Sequence, residues 1–139
     1  MGPVVLEAGQ GFRNNITAGK HQFVADEPVD AGGNDEGPTP YDFLASALGA
    51  CTAMTMRVIA KRESIPLEGT QVRVTSDRMY AKDCADCTSK DGYIHKFEVG
   101  IKLIGNLTDA QRERLLSVAK RCPVAKTLSN EIRIEESLI

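Results

Sequence analysis

Residues 37–62, GPTPYDFLASALGACTAMTMRVIAKR, leave the chain little choice of conformation. Thr39 can cap free backbone N–H groups, and Pro40 suits the first helical position because it lacks a hydrogen that would go unpaired there. Asp42 in the first turn complements the helix dipole. Leu44, Ala47, Leu48, Cys51, Met54, Thr55, Val58 and Ile59 then recur at three- and four-residue intervals, the period of one helical face. Roughly 22 residues at 1.5 Å each predict a helix of about 33 Å. Ala45, Ala50 and Ala53 occupy the other side, so the helix is expected to be central and enclosed by neighbours. Ser46, Thr52, Thr55 and Arg57 interrupt it, and it reads as too polar to span a bilayer. Cys51 lies on the expected buried stripe, either as a small apolar filler or as a reactive sulfur.

The flanking segments read as strands and shorter helices. VVLEA (4–8), FRNNITA (12–18) and KHQFVA (20–25) are short runs divided by glycine, expected as antiparallel strands. The polar stretch 26–40, DEPVDAGGNDEGPTP, is expected to be a loop. IPLEGTQVRVTSDRMYA (65–81) and YIHKFEVGIKLIG (93–105) alternate as strands around a polar turn. Thr108 with Gln111 three residues on forms a capping box for a second helix. Pro123 opens a third helix, and IRIEESLI (132–139) closes the chain with a β-like run. Helices against antiparallel sheets define an α+β fold in one domain, residues 1–139.

Several classes of function are disfavoured. A net charge of −2 without a block of like charges argues against nucleic acid or an anionic membrane as partner. The start, MGPVVLEAGQGF, lacks the basic and apolar regions of a signal peptide, so a cytoplasmic location is expected. In a reducing compartment four cysteines do not imply a disulfide framework, and catalytic, redox or metal roles gain weight.

Cys122-Pro123 sits at a helix start, where free N–H groups make an electropositive setting for a sulfur. One thiol on a packed helix and another at a helix start are the minimum for a dithiol cycle: the first becomes sulfenic acid and the second condenses with it to a disulfide. Cys84-Ala85-Asp86-Cys87 is a different case. CxxC reads as redox at a strand-to-helix junction and as zinc when a second ligand pair follows. Here it falls in a turn between strands with no second pair. A local redox pair, a metal site with Asp83, Asp86 or His95, and a plain hairpin connection all remain open, with no stoichiometric metal expected. Ser46 lies outside any G-x-S-x-G elbow, and the glycines 32, 33 and 37 match no phosphate-binding pattern.

GPTPYDFLASALGAC followed some seventy residues later by RCPVAKTL, with DCADC and NLTDAQRERLLSVAK between them, resembles the OsmC/Ohr family of osmotically inducible and organic-hydroperoxide-resistance proteins. The resemblance covers nearly the whole chain. It implies an OsmC-like fold, an intertwined homodimer whose long central helices are wrapped by antiparallel sheets. It also implies thiol-dependent reduction of hydroperoxides, with Cys51 matching the peroxidatic cysteine and Cys122 the resolving one. An external dithiol, lipoyl or thioredoxin-like, would restore both thiols, and no bound cofactor is needed because sulfur carries the two-electron change. The family pairs its thiolate with an arginine of the N-terminal strands and a glutamate near the start of the long helix. Arg13 is the arginine available in that region. The glutamate position, ten residues before the cysteine, is Tyr41 in this chain, and Asp42 beside it is the candidate substitute. A turn of about 100° separates adjacent helical positions, so an alternative is a small hydrophobic ligand-binding or redox-sensing protein with little turnover.

Overall fold

A computed structural model describes residues 2–139. The chain divides into two compact units, Met1–Leu44 and Ala45–Ile139. In the first, β1 (Val4–Ala8), β2 (Asn14–Ala18) and β3 (His21–Ala25) form an antiparallel sheet in that order. Its registers pair Leu6 with Ile16 and Ile16 with Phe23. Ile16 and Ala25 are buried, while Val4, Val5 and Leu6 stay exposed. The Phe23 and Phe43 rings lie 5.5 Å apart, beside an apolar hollow of about 400 Å³ lined by Val4, Leu6, Ile16, Phe23, Pro40 and Phe43.

Helix α1 runs Pro40–Arg62, as the cap at Thr39 predicts. Within the larger unit the strands β4 (Gly69–Tyr80) and β5 (Tyr93–Ile104) form one long antiparallel hairpin with an unbroken register, Gly69 opposite Ile104 through to Tyr80 opposite Tyr93. Helices α2 (Asp109–Ala119) and α3 (Pro123–Ser129) follow. The capping box of α2 forms in both directions: Gln111 N donates to Thr108 Oγ1 at 3.1 Å and Thr108 N to Gln111 Oε1 at 3.0 Å. Met56, Ala60, Ile65, Leu67, Leu115, Val118 and Ala119 make the core, with Val72, Ile101 and Leu103 of the hairpin packed against it. The Arg114 guanidinium clamps the Glu63 carboxylate through both its oxygens, at 2.6–3.1 Å, tying α2 to the end of α1.

Two expectations are corrected here. The buried face of α1 is Leu48, Thr52, Met56 and Ala60, which shares only Leu48 with the predicted stripe. Leu44, Met54 and Val58 of that stripe are 40%, 67% and 55% exposed, and Cys51 is half-buried at its edge. Because α1 is apolar on every side, periodicity could not tell which side the hairpin and α2 would take. The β-like run 132–139 forms no strand among the described residues; Ile132, Ile134, Leu138 and Ile139 are exposed. An extended segment becomes a strand only when another strand meets its hydrogen bonds, and this chain presents none to it.

The membrane reading of α1 also needs a different basis. Over its most apolar 18 residues the mean hydropathy is 1.5, enough by length and composition for a bilayer. Its second half is packed against the core, where Met56 and Ala60 belong to the buried cluster and the Arg57 guanidinium donates to Leu67 O at 2.6 Å.

Candidate functional site

Cys51 and Cys122 are both free thiols. Cys122 is fully buried and caps α3: its backbone is extended (φ −60°, ψ 138°), and its sulfur accepts the Ala125 N–H at 3.2 Å. Proline at the next position fixes the first helical residue and needs no hydrogen-bond partner for its nitrogen, so the sulfur faces the next free amide. The elements bearing the two thiols wall one apolar cavity of about 170 Å³. Leu48 and Thr52 of α1, which flank Cys51 in the helix, line it together with Val99, Ile101, Ala119 and Ala125. Ala119 and Ala125 bracket Cys122 in the chain.

Asp42 and Arg13 belong to the smaller unit, where each has a partner. Asp42 Oδ2 accepts from Thr39 N at 2.9 Å and from Thr39 Oγ1 at 2.8 Å, while Thr39 Oγ1 accepts from Asp42 N at 3.2 Å. This is a reciprocal capping box with aspartate in place of the usual glutamate, and it engages the Asp42 carboxylate at the helix start. Arg13 instead pairs with Glu36, Nη1 to Oε1 at 3.2 Å, and with the Asn15 side chain at 3.3 Å from both Nε and Nη2.

Sequence reasoning passed over Glu36, which sits 23 residues from Arg13 in a polar loop. Its placement traces to a buried group, Asp26, at 2% exposure. Asp26 Oδ1 accepts from Glu27 N at 2.8 Å, and Oδ2 accepts from Asn34 N and Glu36 N at 3.2 Å each. Gly33 is required by close approach: a Cβ there would stand 2.0 Å from Glu27 O. A Cβ at Gly37 would likewise stand 2.3 Å from Val24 O. The signal was an acid followed by a glycine-rich loop, which composition marks only as polar.

Burial, the largest single influence on Asp26, pushes its pKa up. The amides of Glu27, Glu36 and Asn34, with the positive Arg13, outweigh it and hold the carboxyl below its ordinary 3.8. A carboxyl depressed on folding stabilises the native state above its unfolded pKa, and that contribution fades as pH falls through the lower folded value. The urea midpoint should therefore drop as pH is lowered from 5 through about 4 and below. Asp26→Asn should lower the midpoint at pH 7 and flatten this dependence, and an unchanged slope in the variant would remove Asp26 as its source.

Cys84 and Cys87 are joined as a disulfide within the β4–β5 turn, despite the expectation that a reducing compartment argues against such bonds. Asp86 completes a group of three donor atoms within 4.8 Å of one another. The turn starts beyond the Tyr80–Tyr93 pair, whose rings stack at 4.7 Å.

The α+β chain carries one buried free thiol at a helix start and a second, half-buried, on the long helix α1. The family model described as OsmC-like protein matches residues 32–137, and the chain belongs to that family. Solved structures share the fold. An osmotic stress induced and detoxification response protein of Psychrobacter arcticus 273-4 matches with TM-score 0.73 at 23% identity, covering 91% of this chain and 88% of the other. An OsmC-like protein of Mycoplasma pneumoniae matches with TM-score 0.72 at 19% identity, covering 91% and 86%. The organic hydroperoxide resistance protein OhrB of Bacillus subtilis matches with TM-score 0.63 at 18% identity, covering 90% and 87%. No curated protein matches in sequence.

Proposed function

We propose that the protein is a cytoplasmic, homodimeric thiol peroxidase that reduces organic hydroperoxides. Two free thiols on elements that wall one apolar cavity carry this reading. The Cys51 thiolate attacks the distal oxygen of the hydroperoxide, the O–O bond breaks, and the alkoxide leaves as an alcohol after taking a proton. Cys51 is then a sulfenic acid. The Cys122 thiolate attacks the Cys51 sulfur, water departs, and a disulfide forms. An external dithiol, lipoyl or thioredoxin-like, reduces it through a mixed disulfide. The cavity is bounded by Leu48, Val99 and Ile101, which suits an alkyl chain better than hydrogen peroxide. Arg13, which pairs with Glu36, and Asp42, which pairs with Thr39, are the charged residues proposed for this scheme.

Adding cumene hydroperoxide to the reduced protein should consume the Cys51 and Cys122 thiols together. Mass spectrometry of the digest should find them linked. If both stay open to alkylation after excess peroxide, the proposal fails.

A second reading has its own support. With Asp42 engaged by Thr39 and tyrosine at the preceding position, the same cavity could hold a small hydrophobic ligand or sense oxidants with little turnover. Repeated cycling with a dithiol reductant separates the two, since a sensor reacts once and a peroxidase keeps consuming substrate.

A further inference from the structure

The Cys84–Cys87 disulfide belongs to neither thiol of the proposed cycle. It closes at the tip of the β4–β5 hairpin while Cys51 and Cys122 remain reduced. Val99 lines the cavity that Ala119 and Ala125 also wall, and Tyr93 ends the paired part of the hairpin six residues away. At about 3.3 Å per residue the tip therefore starts roughly 20 Å from that cavity along the strand. The base of the turn is firmly held: Ala81 is buried, Ala81 N donates to Gly92 O at 2.8 Å, and Cys84 N donates to Ala81 O at 3.1 Å. Both cysteines are half-buried, and Ala85, Asp86 and residues 88–90 around them are exposed.

The charged groups near the two cysteines differ. Asp86 Oδ1 lies 3.4 Å from Cys84 Sγ, where it can accept a thiol proton. The Lys90 ammonium donates to the Cys87 carbonyl at 3.1 Å and puts a positive charge beside Cys87. A leaving thiolate is favoured at Cys87 and a protonated thiol at Cys84.

We propose that Cys84 and Cys87 form a second redox centre, a solvent-facing dithiol/disulfide pair that exchanges electrons with an external dithiol independently of Cys51 and Cys122. A thiolate of the external dithiol bonds to Cys84 Sγ, the Cys84–Cys87 bond breaks, and Cys87 leaves as thiolate beside Lys90. The second thiol of the reductant then attacks the mixed disulfide, leaves as part of a cyclic disulfide, and frees Cys84. Cys84 takes a proton and turns it toward Asp86. The protein gains two electrons and one proton, with a second proton taken from solvent when the Cys87 thiolate is protonated, and the external dithiol loses two electrons and two protons. The reverse steps close the pair again.

Trypsin isolates this pair, because cleavage after Lys82 and Lys90 releases residues 83–90, DCADCTSK, with both cysteines and neither Cys51 nor Cys122. The wild-type chain is equilibrated under native conditions in mixtures of reduced and oxidised dithiothreitol, quenched in acid, alkylated with iodoacetamide and digested. The expected result is one reversible two-electron transition of this peptide, from internally bonded to doubly alkylated, reached from either direction. Cys87→Ser should instead accumulate a mixed disulfide on Cys84 with oxidised glutathione. Three results would overturn the proposal: a peptide doubly alkylated at every ratio, a bond that opens only in denaturant, or reduced thiols shielded by about one co-purified zinc ion per chain. The readout does not depend on peroxidase activity, so failure of the catalytic scheme leaves it intact.

Discussion

Cys51→Ser should abolish hydroperoxide consumption, with a loss on the order of 10³-fold or more, the scale seen when a nucleophile is removed. A serine hydroxyl in the same place is no substitute, because it neither ionises near neutral pH nor cycles through a sulfenic state. The second thiol should fail differently. Cys122→Ser should consume one equivalent of peroxide and then stop with Cys51 as a sulfenic acid, which dimedone would trap. Serine is a good helix cap, so the hydroxyl can replace the sulfur as acceptor of the Ala125 N–H and the fold should survive. A Cys122→Ser protein that turns over at the wild-type rate with dithiol would remove Cys122 from the cycle. Residual activity in Cys51→Ser would move the nucleophile elsewhere.

The second large effect concerns the face of α1 that the chain leaves open. Leu44, Ala47, Met54 and Val58 are spaced three, seven and four residues apart, which keeps them on one helical side, and all are exposed. Burying a side chain such as Met, Val or Leu is worth roughly 1.5–3 kcal/mol, and in a two-fold dimer each such contact is made twice. The proposed homodimer should therefore be stable at micromolar concentration. Met54→Glu combined with Val58→Glu should convert it to a monomer by light scattering, because like charges would then be buried opposite each other. Peroxidase activity should fall with the loss of the dimer. A wild-type protein that is monomeric at tens of micromolar would refute the dimer. The exposed end segment Ile132–Ile139 offers a further apolar surface that a second copy can cover.

How much of this was legible beforehand depended on distance along the chain. Caps were readable, because Thr39 with Asp42 and Thr108 with Gln111 satisfy amides within one turn. The runs 4–8, 12–18 and 20–25 were marked by the glycines between them and hold strands 4–8, 14–18 and 21–25. The orientation of α1 was not readable: a helix with alanine on several sides offers more than one stripe, and the choice was made by Val72, Ile101 and Leu115 far along the chain. Glu36 was missed for the same reason, since its meeting with Arg13 depends on a loop conformation fixed by Asp26. Cys51 and Cys122 could be named from sequence because a thiol at Cys-Pro and a thiol mid-helix are local features. That their chain neighbours Thr52, Ala119 and Ala125 line one cavity required the fold.

The single carboxylate of Asp26 reaches amides one, eight and ten residues ahead of it. Such an arrangement works as a ruler. Inserting or deleting one residue between 27 and 36 would carry Glu36 out of register with Arg13, whereas exchanging a side chain in place would not. Divergence of the charge that faces Arg13 is thus expected to proceed by replacement at fixed spacing, with this segment conserving its length even where its letters drift.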